Sequence, residues 1–278
     1  MSVRTDLAIE EKIAENGIKI LKEKIGEVEI CTVEIIDSEK AEKIGKKEGK
    51  YITLEFPSVE KINDYENIKN GIKKALKSLL PKETENILVV GLGNTEITAD
   101  SIGPKTAVRL LATRHIAGEF AENIGLKGLR SVAVITPNVL GKTGIEVTEL
   151  ISGLVQKIKP DAVIAIDALA SRSIDRLFRT VQLSDSGISP GSGVKNARKE
   201  LSFQTLGVPV ISLGVPTVVD ALTLAFELTG KESQTDTDLV VTPKDSDLLS
   251  HRISEILAEA LNVFLQPEID EEIILSLV

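Results

Sequence analysis

From residue 68 onward, short apolar runs alternate with stretches of helical periodicity. Ile68, Ile72, Ala75, Leu76 and Leu79 recur at helical spacing, and the continuous run Ile87-Leu-Val-Val90 then ends at Gly91. A run that is short and apolar at every position reads as a strand buried on both faces. The alternation predicts further strands over 132–135, 162–166, 179–183 and 208–213, with helices over 146–157, 218–228 and 245–264. Strands alternating with helices imply an α/β protein built on a mainly parallel, twisted sheet covered on both faces.

The first sixty residues have a different pattern. A charged helix is expected over 10–24, and two runs of alternating polarity, 29–36 and 51–56, read as strands with one exposed face. The lysine- and glycine-rich stretch 43–50 between them reads as a turn. This gives an N-terminal peripheral α+β or β-hairpin appendage over 1–62 and an αβα catalytic domain over 63–278, together one compact unit. The polar stretch 230–238 is expected to be a surface loop.

Composition narrows the function classes. Hydrophobic residues make up 42% of the 278, and aromatics only 3%, so branched aliphatics must build the core. A net charge of −9 with no basic stripe disfavours direct nucleic-acid binding and anionic membrane surfaces. The single cysteine, Cys31, excludes an intramolecular disulfide and a cysteine-based zinc cluster, and reads as strand filler. No apolar stretch approaches the ~18 residues of a membrane span, and the N-terminus lacks the apolar core of a signal peptide. A cytoplasmic protein is expected.

In open α/β sheets, ligands bind beyond the carboxyl ends of the strands. Asp100 follows the first core strand and Asp167 directly follows the run 162–166. Helix capping would explain either aspartate alone. Together, on separate strand ends, they can converge on one pocket and share a proton, one acting as base and the other as acid. Asp220 is a third strand-end acid, where the first turn of a helix is a sufficient reason for a carboxylate. Other chemistries are less well supported. Gly91-Leu-Gly93 has Glu96 where a dinucleotide loop needs its third glycine, Pro190-Gly-Ser-Gly193 lacks a Gly-Lys-Ser/Thr ending, and no Gly-x-Ser-x-Gly elbow occurs. His115 and His251 lie in helical stretches and read as packing or surface residues. No cofactor and no metal are called for.

The strings Val3-Arg-Thr-Asp-Leu-Ala8, Gly91-Leu-Gly-Asn94, Asp100-Ser-Ile-Gly-Pro104, Thr113-Arg-His115, Gly141-Lys-Thr-Gly-Ile-Glu146, Ile166-Asp-Ala-Leu-Ala-Ser-Arg172, Pro190-Gly-Ser-Gly193 and Gly207-Val-Pro-Val210 together resemble the germination protease of spore-forming bacteria. The likeness runs from Val3 to about Phe226 and resumes at Leu239-Val-Val-Thr-Pro-Lys244. It implies an endopeptidase that degrades small acid-soluble spore proteins during germination. It further implies a three-layer αβα fold similar to hydrogenase-maturation endopeptidases, a homo-oligomer (the family tetramer), and essential aspartates at Asp100 and Asp167.

The resemblance also implies features that do not carry over directly. Family members have an N-terminal propeptide, whereas the family-like segment here begins at Val3. They also have a long segment where this chain has about ten polar residues after Leu228. Substrate contacts are expected among Asn94, Arg114, Arg172, Ser192 and Asp220, with Lys195 and Arg198 as further cations. The rival reading is a non-catalytic sporulation protein of the same fold that binds peptide or another spore component.

Overall fold

The computed structural model describes residues 5–11, 18–59, 65–116, 123, 128–189, 199–231 and 238–277. Strands β1 (Ile18–Ile25), β2 (Val28–Ile35) and β3 (Gly49–Glu55) come first, with helix α1 (Ser38–Lys43) between the last two. Helix α2 (Glu66–Leu79) leads to β4 (Asn86–Gly91), and α3 (Ile102–Ala107) to β5 (Ser131–Ile135). Helices α4 (Leu140–Thr143) and α5 (Val147–Ile158) precede β6 (Ala162–Ser171) and β7 (Thr180–Ser184). The remainder is α6 (Phe203–Leu206), β8 (Val210–Asp220), α7 (Ala221–Thr229), β9 (Val240–Val241), α8 (Ser246–Leu265) and α9 (Glu271–Ser276).

The nine described strands form one sheet in the order β1-β2-β3-β7-β8-β6-β4-β5, with β9 beside β8. It is parallel across β5, β4, β6 and β8, and antiparallel from β7 outward to β1. The sheet expected to be mainly parallel is therefore parallel in its helix-connected half. The other half is antiparallel: β1 and β2 are joined by a two-residue turn, and β3 pairs with β7, more than a hundred positions later in the chain. The N-terminal strands continue the same sheet through pairing of β3 with β7.

Alternation along the central strands feeds two layers. Ile87, Val89, Ile164, Ile166, Ile211 and Leu213 face α2 and α8, meeting Ile68, Ile72, Leu76, Ile253, Leu257 and Leu261. Leu88, Val90, Val163 and Ala165 face the opposite way, onto Val147, Ile151 and Val155 of α5. Each fully buried Leu, Ile or Val among these stabilises the fold by roughly 1.5–3 kcal/mol. Lys69 of α2 ties the first layer together, with Glu259 of α8 at 3.2 Å, Glu271 of α9 at 3.5 Å and Glu66 closer still. Burial alone would push the Lys69 ammonium pKa down; its bonds to Glu66 and Glu259 reverse this and raise it.

Several boundaries differ from the sequence reading. Within the helix expected over 10–24, residues 18–25 form a strand, and 12–17 lie outside the described residues. The cause is Gly26, at φ +56°, which closes a two-residue turn so that Ile25 pairs with Val28 and β1 zips onto β2. Residues 38–43 form α1, so the turn expected over 43–50 opens on a helix end. Strands β6 and β8 run well past their apolar cores, to Ser171 and Asp220, because they keep pairing with each other across an irregularity at Leu169/Ala170. The helix expected from 218 therefore starts at Ala221. Among the described residues no helix is long and apolar enough to cross a membrane.

Candidate active site

Two glycines let α3 approach the carboxyl ends of β4 and β6 at backbone distance. A Cβ built on Gly103 would stand 2.2 Å from the Leu92 carbonyl oxygen and 2.4 Å from that of Ile166. One built on Gly91 would stand 2.5 Å from the Gly103 carbonyl oxygen. Within this close contact Leu92 N–H donates to Ile166 O at 2.8 Å, and the chain then leaves the sheet at Gly93, whose φ of +113° suits only glycine.

The excursion from Gly93 returns at Asp100. Asn94 N–H donates to Asp100 O at 2.9 Å, and Asp100 N–H to Ile97 O at 2.8 Å, closing a short 3-10 turn over Thr98–Asp100. Thr217 of β8 donates its hydroxyl to Ala99 O at 2.6 Å, and Ser101, fully buried, donates to Thr98 O at 2.8 Å. The Ser101 hydroxyl also meets Ser250 of α8 at 3.0 Å, where the Lys105 ammonium donates to Ser250 at 3.2 Å. Burial, reinforced by the Arg109 charge, pushes the Lys105 pKa down. The turn bearing Asp100 is thus held from β8, from α8 and from its own helix.

Asp167 lies inside β6 rather than after a strand, and no helix begins there, so capping does not explain it. It is buried, and its Oδ1 accepts from Ala168 N–H at 2.9 Å. Gly91 pairs with Ile166, the residue before Asp167, so both aspartates belong to the same end of the adjacent strands β4 and β6. Asp100 is not a cap either, since Ser101 occupies the N-cap of α3.

The other expected site residues separate into groups. Asn94 is buried, with its Oδ1 accepting from Glu96 N–H at 3.0 Å, so it shapes the Asp100 excursion. Asp220 closes β8 and caps α7, accepting from Thr223 N–H at 2.9 Å and Thr223 Oγ1 at 3.1 Å. Arg172 lies at the end of β6, its guanidinium donating to Glu227 at 2.6 Å. Arg114 is exposed, its N–H donating to Val132 O, and so stands at the amino end of β5, away from both aspartates. Ser192, with Lys195 and Arg198, lies outside the described residues. His115 is exposed, and His251 meets Arg109 at 3.1 Å and Glu255 at 3.0 Å. Among the described residues no three His, Cys, Asp or Glu side chains are grouped to hold a metal.

Sequence reading missed the contribution of the N-terminal segment. Asp6 N–H donates to Ala170 O at 2.9 Å and its Oδ2 accepts from Ala170 N–H at 2.8 Å. The Gln182 side chain donates to Asp6 O at 3.1 Å and accepts from Ala8 N–H at 2.7 Å. Glu10, its side chain 2% exposed, accepts from Arg172 N–H at 2.7 Å, Ser173 N–H at 3.1 Å and Arg176 at 2.9 Å. The available signal was Gln182, a large polar side chain on a strand whose five residues are all buried. Beside this strap a cavity of about 890 Å³ opens over Leu169, Gly214, Gln182 and Ser184, with Lys46 and Arg172 at its walls. Neither aspartate lines it, although Gly214 pairs with Asp167 across β6 and β8. Burial pushes the Lys46 pKa down, opposed by Asp6, Glu11 and Glu10, and pushes the Glu11 pKa up, opposed by Lys46.

Acids near the carboxyl ends of parallel strands, beneath a backbone-close helix, lie where open α/β sheets bind their ligands. Residues 2–229 match the family model described as germination protease. Similar proteins include the germination protease of Clostridium acetobutylicum, 40% identical with 97% of each chain covered. That of Priestia megaterium is 48% identical over 81% of this chain and 66% of its own. A [NiFe] hydrogenase maturation protease, HycI, from Thermococcus kodakarensis superposes with a TM-score of 0.39 at 15% identity, covering 68% of this chain and 97% of its own. The chain belongs to the germination protease family and is a peptidase.

Proposed function

We propose that the chain is the endopeptidase that begins degradation of small acid-soluble spore proteins at germination, with Asp100 and Asp167 activating water. The observation that carries this reading is the placing of both aspartates at the same end of β4 and β6, Gly91 pairing with Ile166. In the proposed reaction the ionised carboxylate takes a proton from water as the water oxygen bonds to the peptide carbonyl carbon. The protonated partner then gives its proton to the leaving nitrogen as the C–N bond breaks. Base and acid are roles shared by the pair, and neither is assigned to one aspartate. Asn94 and Asp220 act by holding the two loops, and Arg172 stands at the cavity wall as a substrate contact.

The expected working location is the cytoplasm of the developing spore, its core, with a homo-oligomer as the working form and no direct contact with nucleic acid. The alignment with the Clostridium acetobutylicum relative spans 317 positions, more than the 278 of this chain, so that relative carries segments absent here. Incubating the purified chain with a small acid-soluble spore protein and mapping products by mass spectrometry tests the reading. Discrete internal cuts support it; stable binding without cuts from mildly acidic to neutral pH supports the non-catalytic alternative.

A further inference from the structure

Among the described residues, the edge of β6 that faces β4 is covered on both sides of one residue and open at that residue. Backbone direction alternates along the strand. Ile166 O accepts from Leu92 on the β4 side, while Val163 N–H donates to Pro209 on the β8 side. Even-numbered residues of β6 therefore address the β4 side, and Ala170 does so by exchanging its bonds with Asp6. Strand β4 ends at Gly91, and after Leu92 the chain turns away at Gly93. Between Leu92 and Asp6 lies Ala168. Its N–H donates to the neighbouring Asp167 Oδ1, and no described residue donates to its carbonyl. Of the ten residues of β6, Ala168 is the one that is partly exposed.

We propose that the substrate peptide docks on this open edge, as a strand segment continuing the track of β4, with its backbone N–H donating to Ala168 O. This inference rests on the peptidase reading and names how that site holds its substrate. An unpaired main-chain group in an open sheet edge is the standard attachment for an extended polypeptide and is indifferent to side chains. The window from Ile166 to Ala170 spans roughly 13 Å at strand spacing, room for one ladder pair. When the peptide carbonyl takes the Ala168 N–H in place of Asp167 Oδ1, that carbonyl lies beside the carboxylate and the carboxylate is released toward water. The Asp6 contact at Ala170 shows a chain already lying on this edge one register further on.

The test uses the full chain carrying Asp100→Asn and a peptide of about twelve residues spanning a cut mapped with the unmodified chain, the length being set by the extended span the edge and its flanks offer. Each backbone nitrogen of the peptide is methylated in turn, and binding is read by fluorescence anisotropy. The expected result is about a tenfold loss for methylation at or next to the cut residues, the worth of one well-made hydrogen bond, with small changes elsewhere. Binding of every methylated peptide within about threefold of the parent, or losses confined to positions more than two residues from the cut, overturns the docking mode. Cleavage of the parent peptide by the Asp100→Asn chain defeats the aspartate mechanism alone, because the methylation pattern is still read from binding.

Discussion

Leu92 N–H donates to Ile166 O at 2.8 Å, and the two chains part immediately afterward, Gly93 turning out of the sheet and Asp167 continuing within it. That one bond fixes where the two aspartate-bearing segments diverge. The excursion after Gly93 returns to its starting point through Asn94 N–H and Asp100 O, so Asp100 comes back to the carboxyl end of β4 rather than away from it.

Asp100→Asn and Asp167→Asn keep the side-chain shape and an oxygen acceptor, so Asp167→Asn still offers Ala168 N–H a partner. Each variant is expected to fold with an unchanged circular dichroism spectrum and to lose cleavage by at least about a hundredfold, the minimum contribution of a general acid or base. Turnover within a fewfold of the parent in either variant would remove that residue from the chemistry.

Gly103→Ala places a methyl against the Leu92 and Ile166 carbonyl oxygens, which are backbone atoms that cannot rotate aside. A destabilisation of roughly 3 kcal/mol is expected, the upper end of overpacking costs, read from the midpoint of urea unfolding. Activity should fall further than stability accounts for, because α3 and the Asp100 turn must lift from the strand ends. The control is Gly153→Ala on α5, where nothing lies within 4 Å of the added methyl and the change is expected to be neutral or mildly stabilising.

The parallel half of the fold was legible because its strands are apolar on both faces: Ile87–Val90 and Ala162–Ile166 admit no other reading. Asp167 stood out as an acid directly after one run, and Asp100 as an acid in the segment that follows the other. What was not legible depends on contacts distant in sequence. Residues 18–25 have enough Ile and Leu at helical spacing to pass for a helix, and only pairing with β2 across the Gly26 turn decides otherwise. The long tails of β6 and β8 are mixed in polarity and remain strands because each supplies the other's ladder. The ties made by Glu10 and Asp6 could not be seen in the sequence, since their partners Arg176, Ala170 and Gln182 lie more than 160 positions away.

Glu10 joins the strap to the end of β6 through Arg172 N–H, Ser173 N–H and the Arg176 guanidinium. Truncation by Glu10→Ala strips four donors, the Thr5 hydroxyl among them, of a buried acceptor, while Arg176 keeps Glu55 at 2.8 Å. A loss of about 2–4 kcal/mol is expected. Glu55→Ala should cost less, because its side chain is 31% exposed against 2% for Glu10. Equal losses, measured by urea unfolding of both variants, would show that Arg176 rather than the strap is the stabilising element.

Glu11 supplies a pH-dependent contribution whose sign follows from burial. Its folded pKa is above the ordinary 4.5, desolvation outweighing the attraction of Lys46. The folded chain therefore holds this proton more tightly than the unfolded chain does. Below pH 4.5 both forms are protonated and the group costs nothing. As pH rises from 4.5 through the folded value, ionisation penalises the folded state, and the penalty is complete above that value. Glu11→Gln removes the penalty, so the variant should match the parent at pH 3 and exceed it at pH 7. The gain should be no more than about 1 kcal/mol, because the group is only partly buried and solvent screens it. Unfolding midpoints at the two pH values decide the sign. A variant less stable than the parent at pH 7 would mean that attraction between Glu11 and the partly buried Lys46 outweighs the cost of burial.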